Sequence, residues 1–177
     1  MTKKELFICI YRAFFSLFLA SFACAAEKPN MVIFLADDHG LAESSVYGNS
    51  DIRTPMMASL AKQGRVFDRA FVASPACGPS RSALLSGLMP ARNGAEENHQ
   101  PPRAKTQIMV RRMQDAGYEV AAFGKVGHLN YGKMSGFDIE KQGRREAIGK
   151  DVKHYLDNRS SKKPLLLIVG DHRPHVP

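Results

Sequence analysis

Residues 74–87 read SPACGPSRSALLSG, a stretch in which one cysteine stands just ahead of a helix-forming run and four residues before an arginine. A thiol at a helix N-terminus with Arg81 nearby sits in a positive field of the kind that favours a thiolate. Nucleophilic thiol chemistry is therefore the first reading of Cys77. The spacing argues against one version of it, because Cys77 and Arg81 are separated by three residues and a phosphate-wrapping cysteine loop needs five. Burial as a small hydrophobe is the alternative for a lone cysteine, and the polar, proline-containing surroundings speak against it.

Three other places carry chemistry. Asp37 and Asp38 are adjacent carboxylates that repel one another unless a cation lies beside them, and such hard oxygens suit Ca²⁺ or Mg²⁺; an aspartate that closes a turn is the plainer alternative. Lys125 and His128, in FGKVGH, can turn an ammonium and an imidazole toward an anion or can simply be solvated. His172 and His175, in DHRPHVP, lie in a segment that Pro174 and Pro177 hold extended, which fits either a site or a rigid surface loop.

The elements that must position these residues alternate between strand and helix. MVIFLA (31–36), VFDRAFVA (66–73), YEVAAFG (118–124) and PLLLIVG (164–170) read as strands, of which the short continuous apolar runs suit burial in a parallel sheet. Helices are expected after Thr54 and Pro55 as far as Gly64, over Ser80–Leu88 opened by Pro79, from a Thr106 cap to Gly117, and over 145–158. This is an α/β pattern, a mostly parallel central sheet flanked by helices on both faces. Asp37–Asp38, Lys125–His128 and His172–His175 each follow a strand, and ligands in open α/β sheets bind beyond the carboxyl ends of the strands. One shared site is expected.

The 177 residues, 44% hydrophobic and 24% charged, have globular composition and suffice for one domain. Residues 1–25 stand apart: Lys3, Lys4 and Arg12 precede an apolar run that ends in small residues before Ala26, the pattern of a secretory signal peptide. The run is about half the ~20 residues a bilayer requires, so stable membrane insertion is not expected; export to the periplasm or extracellular space is. Cys9 and Cys24 leave with that segment, so Cys77 has no partner for an internal disulfide. The formal charge of +8 includes Lys3, Lys4, Arg12 and Glu5, a net +2, leaving +6 on residues 26–177. A basic surface favours anionic ligands. Nucleic acid is not singled out, since no basic stripe interleaved with aromatics and no binding module is found.

C-G-P-S-R matches the C-x-P-S-R signature, and here the chain resembles the type I sulfatases, the formylglycine enzymes of the alkaline-phosphatase-like superfamily. The resemblance extends through KPNMVIFLADDHG, DIRTPMMASLAKQGRVFDRAFV, SALLSGLMPARNG, AGYEVAAFGKVGH and LLLIVGDHRPHVP, in the family's order. It implies that Cys77 is oxidised to formylglycine by a maturation enzyme reading Cys77, Pro79, Ser80 and Arg81. It implies a divalent ion, Ca²⁺ or else Mg²⁺, on Asp37, Asp38 and the converted Cys77, and a sulfated small molecule or polysaccharide as substrate. Arg81 and Lys125 would offset charge around the sulfate, His128 would assist sulfate release and His175 would protonate the leaving oxygen. A phosphoester or phosphonate hydrolase of the same superfamily is the alternative activity, and a non-catalytic truncated product the alternative of another class. Family members are several hundred residues long and carry a later Asp-Asn or Asp-His metal pair and another lysine. The resemblance therefore implies that residues 26–177 are the N-terminal portion of a sulfatase catalytic domain, truncated and with little or no activity alone. Asp171 is read as a local variation outside the metal site.

Overall fold

The structure is a computed structural model that describes residues 27–127 and 136–175. In chain order, strand β1 (Met31–Asp37) is followed by two single 3₁₀ turns, Leu41–Glu43 and Ser45–Tyr47. Helices α1 (Pro55–Gln63), α2 (Cys77–Ser86), α3 (Pro90–Asn93) and α4 (Met109–Asp115) come next. Strands β2 (Glu119–Gly124) and β3 (Ile139–Lys141), helix α5 (Ile148–Asn158) and strand β4 (Leu165–Pro174) complete the order.

The four strands form one sheet in the order β1-β4-β2-β3, parallel throughout. Every strand therefore delivers its carboxyl end to the same edge. Alternation along β2 and β4 divides the core in two. Val120, Ala122, Leu166 and Ile168 pack on Leu85 of α2 and Val110 of α4. Ala121, Phe123, Leu165, Leu167 and Val169 pack on Ile148 of α5, with Val152 and Tyr155 beside them. The expected helix layers on both faces are present. Burying each large aliphatic side chain here contributes about 1.5–3 kcal/mol, and Ile168 and Val120 are fully buried.

Two glycines shape the functional edge. Gly124 and Gly170 face one another in register, with Gly124 at φ +73°. A Cβ on Gly170 would fall 1.9 Å from the Lys125 carbonyl oxygen, and one on Gly124 would fall 2.1 Å from that of Gly170. Only bare backbone allows this approach. The chain can therefore turn sharply after β2 while the Lys125 amide still donates to the Gly170 carbonyl at 2.9 Å.

Several sequence expectations are corrected. Residues 66–73 form no strand; Phe71 is 89% exposed, and Phe67 and Val72 also face outward. An apolar run signals a demand for burial, whereas a strand also needs a neighbouring strand, and among the described residues none pairs with these; the Phe67 carbonyl accepts only from the Tyr47 hydroxyl, at 3.0 Å. Helix α2 starts at Cys77 rather than Ser80, with Pro79 inside its first turn, where its missing N–H costs nothing. It ends at Ser86, capped by Gly87 in the left-handed region. Helix α4 starts at Met109, because Thr106 instead closes a turn onto the Arg103 carbonyl. Helix α5 starts at Ile148 rather than 145, and β4 runs on to Pro174. Strand β3, Ile-Glu-Lys, is exposed and only three residues long, too short for alternation to mark it.

At the opposite end of the sheet, Glu119 ties β2 to α5 by accepting from the Tyr155 hydroxyl and, at 3.0 Å, from Arg159 Nε. Burial opposes the Glu119 charge, but hydrogen bonds from Ser161, Tyr155 and Arg159 outweigh it and hold the carboxyl below its ordinary range. Burial and the same contact push the Tyr155 hydroxyl up to about 12. Stability from such a carboxylate is present above the unfolded glutamate pKa and lost as pH falls through the folded value. Glu119→Gln is accordingly expected to cost about 1–3 kcal/mol at neutral pH, with the difference from wild type shrinking on acidification, as read from urea unfolding across that range.

Candidate active site

Asp37 ends β1 with only 1% of its surface exposed. Its Oδ1 accepts from Arg81 Nη2 at 3.1 Å and its Oδ2 from Lys125 Nζ at 2.5 Å. Burial works against the charge, yet hydrogen bonds and charge from Lys125 and Arg81 hold this carboxyl below its ordinary range. Arg81 is itself buried and also donates to the Lys125 and Val126 carbonyls. One carboxylate therefore joins β1, α2 and the turn after β2.

Asp38 takes a left-handed backbone, φ +59°, which suits aspartate in a tight turn. The turn directs its Oδ2 to His175 Nδ1. The amide of His175 donates to the Asp37 carbonyl at 3.0 Å, and Arg145 Nη2 donates to the His175 carbonyl at 3.3 Å. A carboxylate on Nδ1 fixes the ring so that Nε2 is the nitrogen left for chemistry. His172 is held below the usual histidine range, chiefly by burial and then by the Lys125 charge. Asp171 pairs with Arg173 at 3.0 Å on the surface, away from Asp37.

Cys77 opens α2, partly exposed, with Arg81 one turn on along the same face. Cys77, Ser80 and Arg81 line one cavity of about 920 Å³ together with Asp37 and Asp38. Phe71, Val72, Leu84 and Met89 supply its apolar wall. Gly78 and Pro79 are buried beneath. Lys125 joins the cluster through Asp37, and His175 joins through Asp38. His128 lies outside the described residues. Sequence reading missed Arg145 and Asn98; the latter accepts from the Gly78 amide at 3.1 Å and lies 3.6 Å from Cys77 Sγ. Both occupy polar segments whose spacing carries no signal.

The adjacent carboxylates and residue 77 have donor chemistry suited to a hard cation. They do not amount to a closed site: among the described residues no group of three or more metal-ligating side chains stands together, and both Asp37 oxygens are already engaged by cations. Arg81 and Lys125, expected to offset charge around the sulfate, are both paired with Asp37.

The chain belongs to the sulfatase family, whose model matches residues 29–165. It is 37% identical over 157 residues to an ulvan-active sulfatase of Formosa agariphila, covering 85% of this chain and 31% of that protein. It is 31% identical to human N-sulphoglucosamine sulphohydrolase, covering 94% and 36%. A solved structure in complex with its substrate D-glucosamine-2-N,6-O-disulfate superposes with TM-score 0.74 at 25% identity, over 84% of this chain and 35% of that one. The chain spans about a third of the length of these relatives. The fold is likewise shared with the phosphonate monoester hydrolase of Agrobacterium radiobacter, at TM-score 0.71 and 17% identity over 85% and 42% of the two chains.

Removing one member of a buried ion pair strands the others, at a cost of about 3–5 kcal/mol. Asp37→Asn is expected to lower the unfolding free energy by that amount, read as a lower denaturant midpoint at unchanged slope, while Arg173→Ala, which breaks an exposed pair, leaves the midpoint in place.

Proposed function

We propose that this chain carries the core of a sulfuric ester hydrolase acting on a sulfated carbohydrate, with residue 77 working as a formylglycine made from Cys77. The supporting observation is that α2 presents Cys77 and Arg81 on one face, into the cavity that Asp37 and Asp38 also line. The names of the relatives, an ulvan-active sulfatase and an N-acetylglucosamine-6-O-sulfatase of Bacteroides thetaiotaomicron among them, favour a carbohydrate substrate. Formylglycine supplies a geminal diol, one hydroxyl to attack sulfur and the other to release sulfate, so that one hard step becomes two easier ones.

The chain's own residues do the rest. Arg81 and Lys125 bring two positive charges to one Asp37 carboxylate, while Asp38 and Glu43 on the same wall carry negative charge, so the cavity would favour a tetrahedral anion once a cation lies beside the aspartates. His175, steadied by Asp38 at Nδ1, offers Nε2 to pass a proton to the leaving oxygen, and His128 assists sulfate release. A divalent ion, Ca²⁺ in preference to Mg²⁺, belongs beside Asp37, Asp38 and residue 77, where it would add positive charge. Those residues provide fewer than the about 6–8 oxygen ligands calcium takes, so little or no activity is proposed for residues 26–177 alone. Pro79 and Arg81 are buried; the maturation enzyme therefore reads the motif before the chain folds. We further propose that residues 1–25 are an export signal and that 26–177 are the N-terminal portion of the catalytic domain. Among the described residues no helix is long and apolar enough to cross a membrane.

Paired assays on aryl sulfate and aryl phosphate, with the full protein produced beside a maturation enzyme, test this reading. Sulfate release is expected to dominate, and Cys77→Ala to reduce it by at least about 1000-fold. Faster phosphate release would favour the phosphoester hydrolase reading, and undiminished activity in Cys77→Ala would remove residue 77 from the chemistry.

A further inference from the structure

The loop between α3 and α4 is anchored deep in the protein and returns to the mouth of α2. Asn93 is fully buried, and its Nδ2 donates to Ser86 Oγ at 3.0 Å and to the Leu88 carbonyl at 3.2 Å. Its Oδ1 accepts from the Ala95 amide at 2.8 Å, and its carbonyl accepts from the Arg103 amide at 2.8 Å. At the tip, Gln100 Oε1 accepts from the amides of Glu96 and Glu97 at 3.2 and 3.1 Å. The loop is thus pinned at its base and folded at its tip. It delivers one side chain, Asn98, to residue 77.

Asn98 Oδ1 accepts from the Gly78 amide at 3.1 Å, one of the donors a helix N-terminus leaves without an internal partner. The same oxygen lies 3.6 Å from Cys77 Sγ, within reach of a sulfur donor. A Cβ at position 78 would come within 3.2 Å of this oxygen and 3.4 Å of Asn98 Cα. Gly78 therefore leaves the room in which Asn98 sits.

We propose that Asn98 is the positioning residue for the side chain at position 77, holding its rotamer by accepting a hydrogen bond from the group on its Cβ. This rests on the sulfatase reading for the converted form. Hydration of the aldehyde forms a C–O bond from water, breaks the carbonyl π bond and places a water proton on the former carbonyl oxygen, with no oxidant or reductant. The aldehyde has no donor for Oδ1, whereas the hydrate has two hydroxyls. Asn98 thereby selects the hydrated form and orients it.

Two measurements on Asn98→Ala and Asn98→Asp test this, the second variant retaining an acceptor for the Gly78 amide. In the thiol form, Hα–Hβ couplings of Cys77 are expected to report one rotamer in wild type and Asn98→Asp and averaged rotamers in Asn98→Ala. Unchanged couplings in Asn98→Ala, with only faster exchange of the Gly78 amide, would reduce Asn98 to a helix cap and overturn the proposal. In the converted form, labelling by an aminooxy probe, which consumes free aldehyde, is expected to rise about fivefold in Asn98→Ala, the shift one neutral hydrogen bond supports. Equal labelling in all three proteins would refute selection of the hydrate. If none of them labels, the formylglycine reading fails, and the couplings still decide whether Asn98 positions residue 77.

Discussion

The carboxylate of Asp37 is the point on which the arrangement turns. A buried carboxylate without partners costs several kcal/mol, and this one is offset by a guanidinium on one oxygen and an ammonium on the other. Each cation comes from a different element. Arg81 fixes the rotation of α2 about its axis, and with it the direction of Cys77 one turn earlier; Lys125 fixes the turn after β2. The partners of this single charge place the cysteine, the second aspartate and the histidine of the β4 end around one cavity.

The same economy constrains the chemistry. Two cations on one anion bind Asp37 tightly, and Asp38 and Glu43 on the cavity wall balance the positive charge they bring. A hard cation approaching this carboxylate must compete with Lys125 and Arg81 or share it with them. The neighbouring carboxylate has a different occupation: Asp38 faces His175 from a left-handed turn and sets which ring nitrogen is left for proton transfer. Adjacent aspartates in the sequence therefore have separate tasks, one structural and electrostatic within the protein, the other directed at an imidazole.

Much of this was legible in the sequence because it depends on local pattern. The apolar runs at 31–36, 118–124 and 164–170 became β1, β2 and β4, with β4 and β2 inside the sheet and β1 at its edge, and the helix-start chemistry around Pro79 put Cys77 at a helix mouth. The residues following strand ends converged as parallel topology requires. What stayed hidden depends on partners far away in the chain. Among the described residues the apolar run at 66–73 has no strand beside it, β3 is held by main-chain bonds with its side chains exposed, and Thr106 is diverted to a turn. Arg145 and Asn98 reach the site only because loops return them to it, and no spacing rule reports a loop's return.

The proposed function requires that Cys77 work as an aldehyde hydrate and not as a thiol. Trypsin releases it in the peptide AFVASPACGPSR, between Arg69 and Arg81. Mass spectrometry of this peptide, from protein produced with a formylglycine-generating enzyme, is predicted to show the mass of the aldehyde in place of cysteine. A peptide that retains only the unmodified thiol under those conditions would contradict the account.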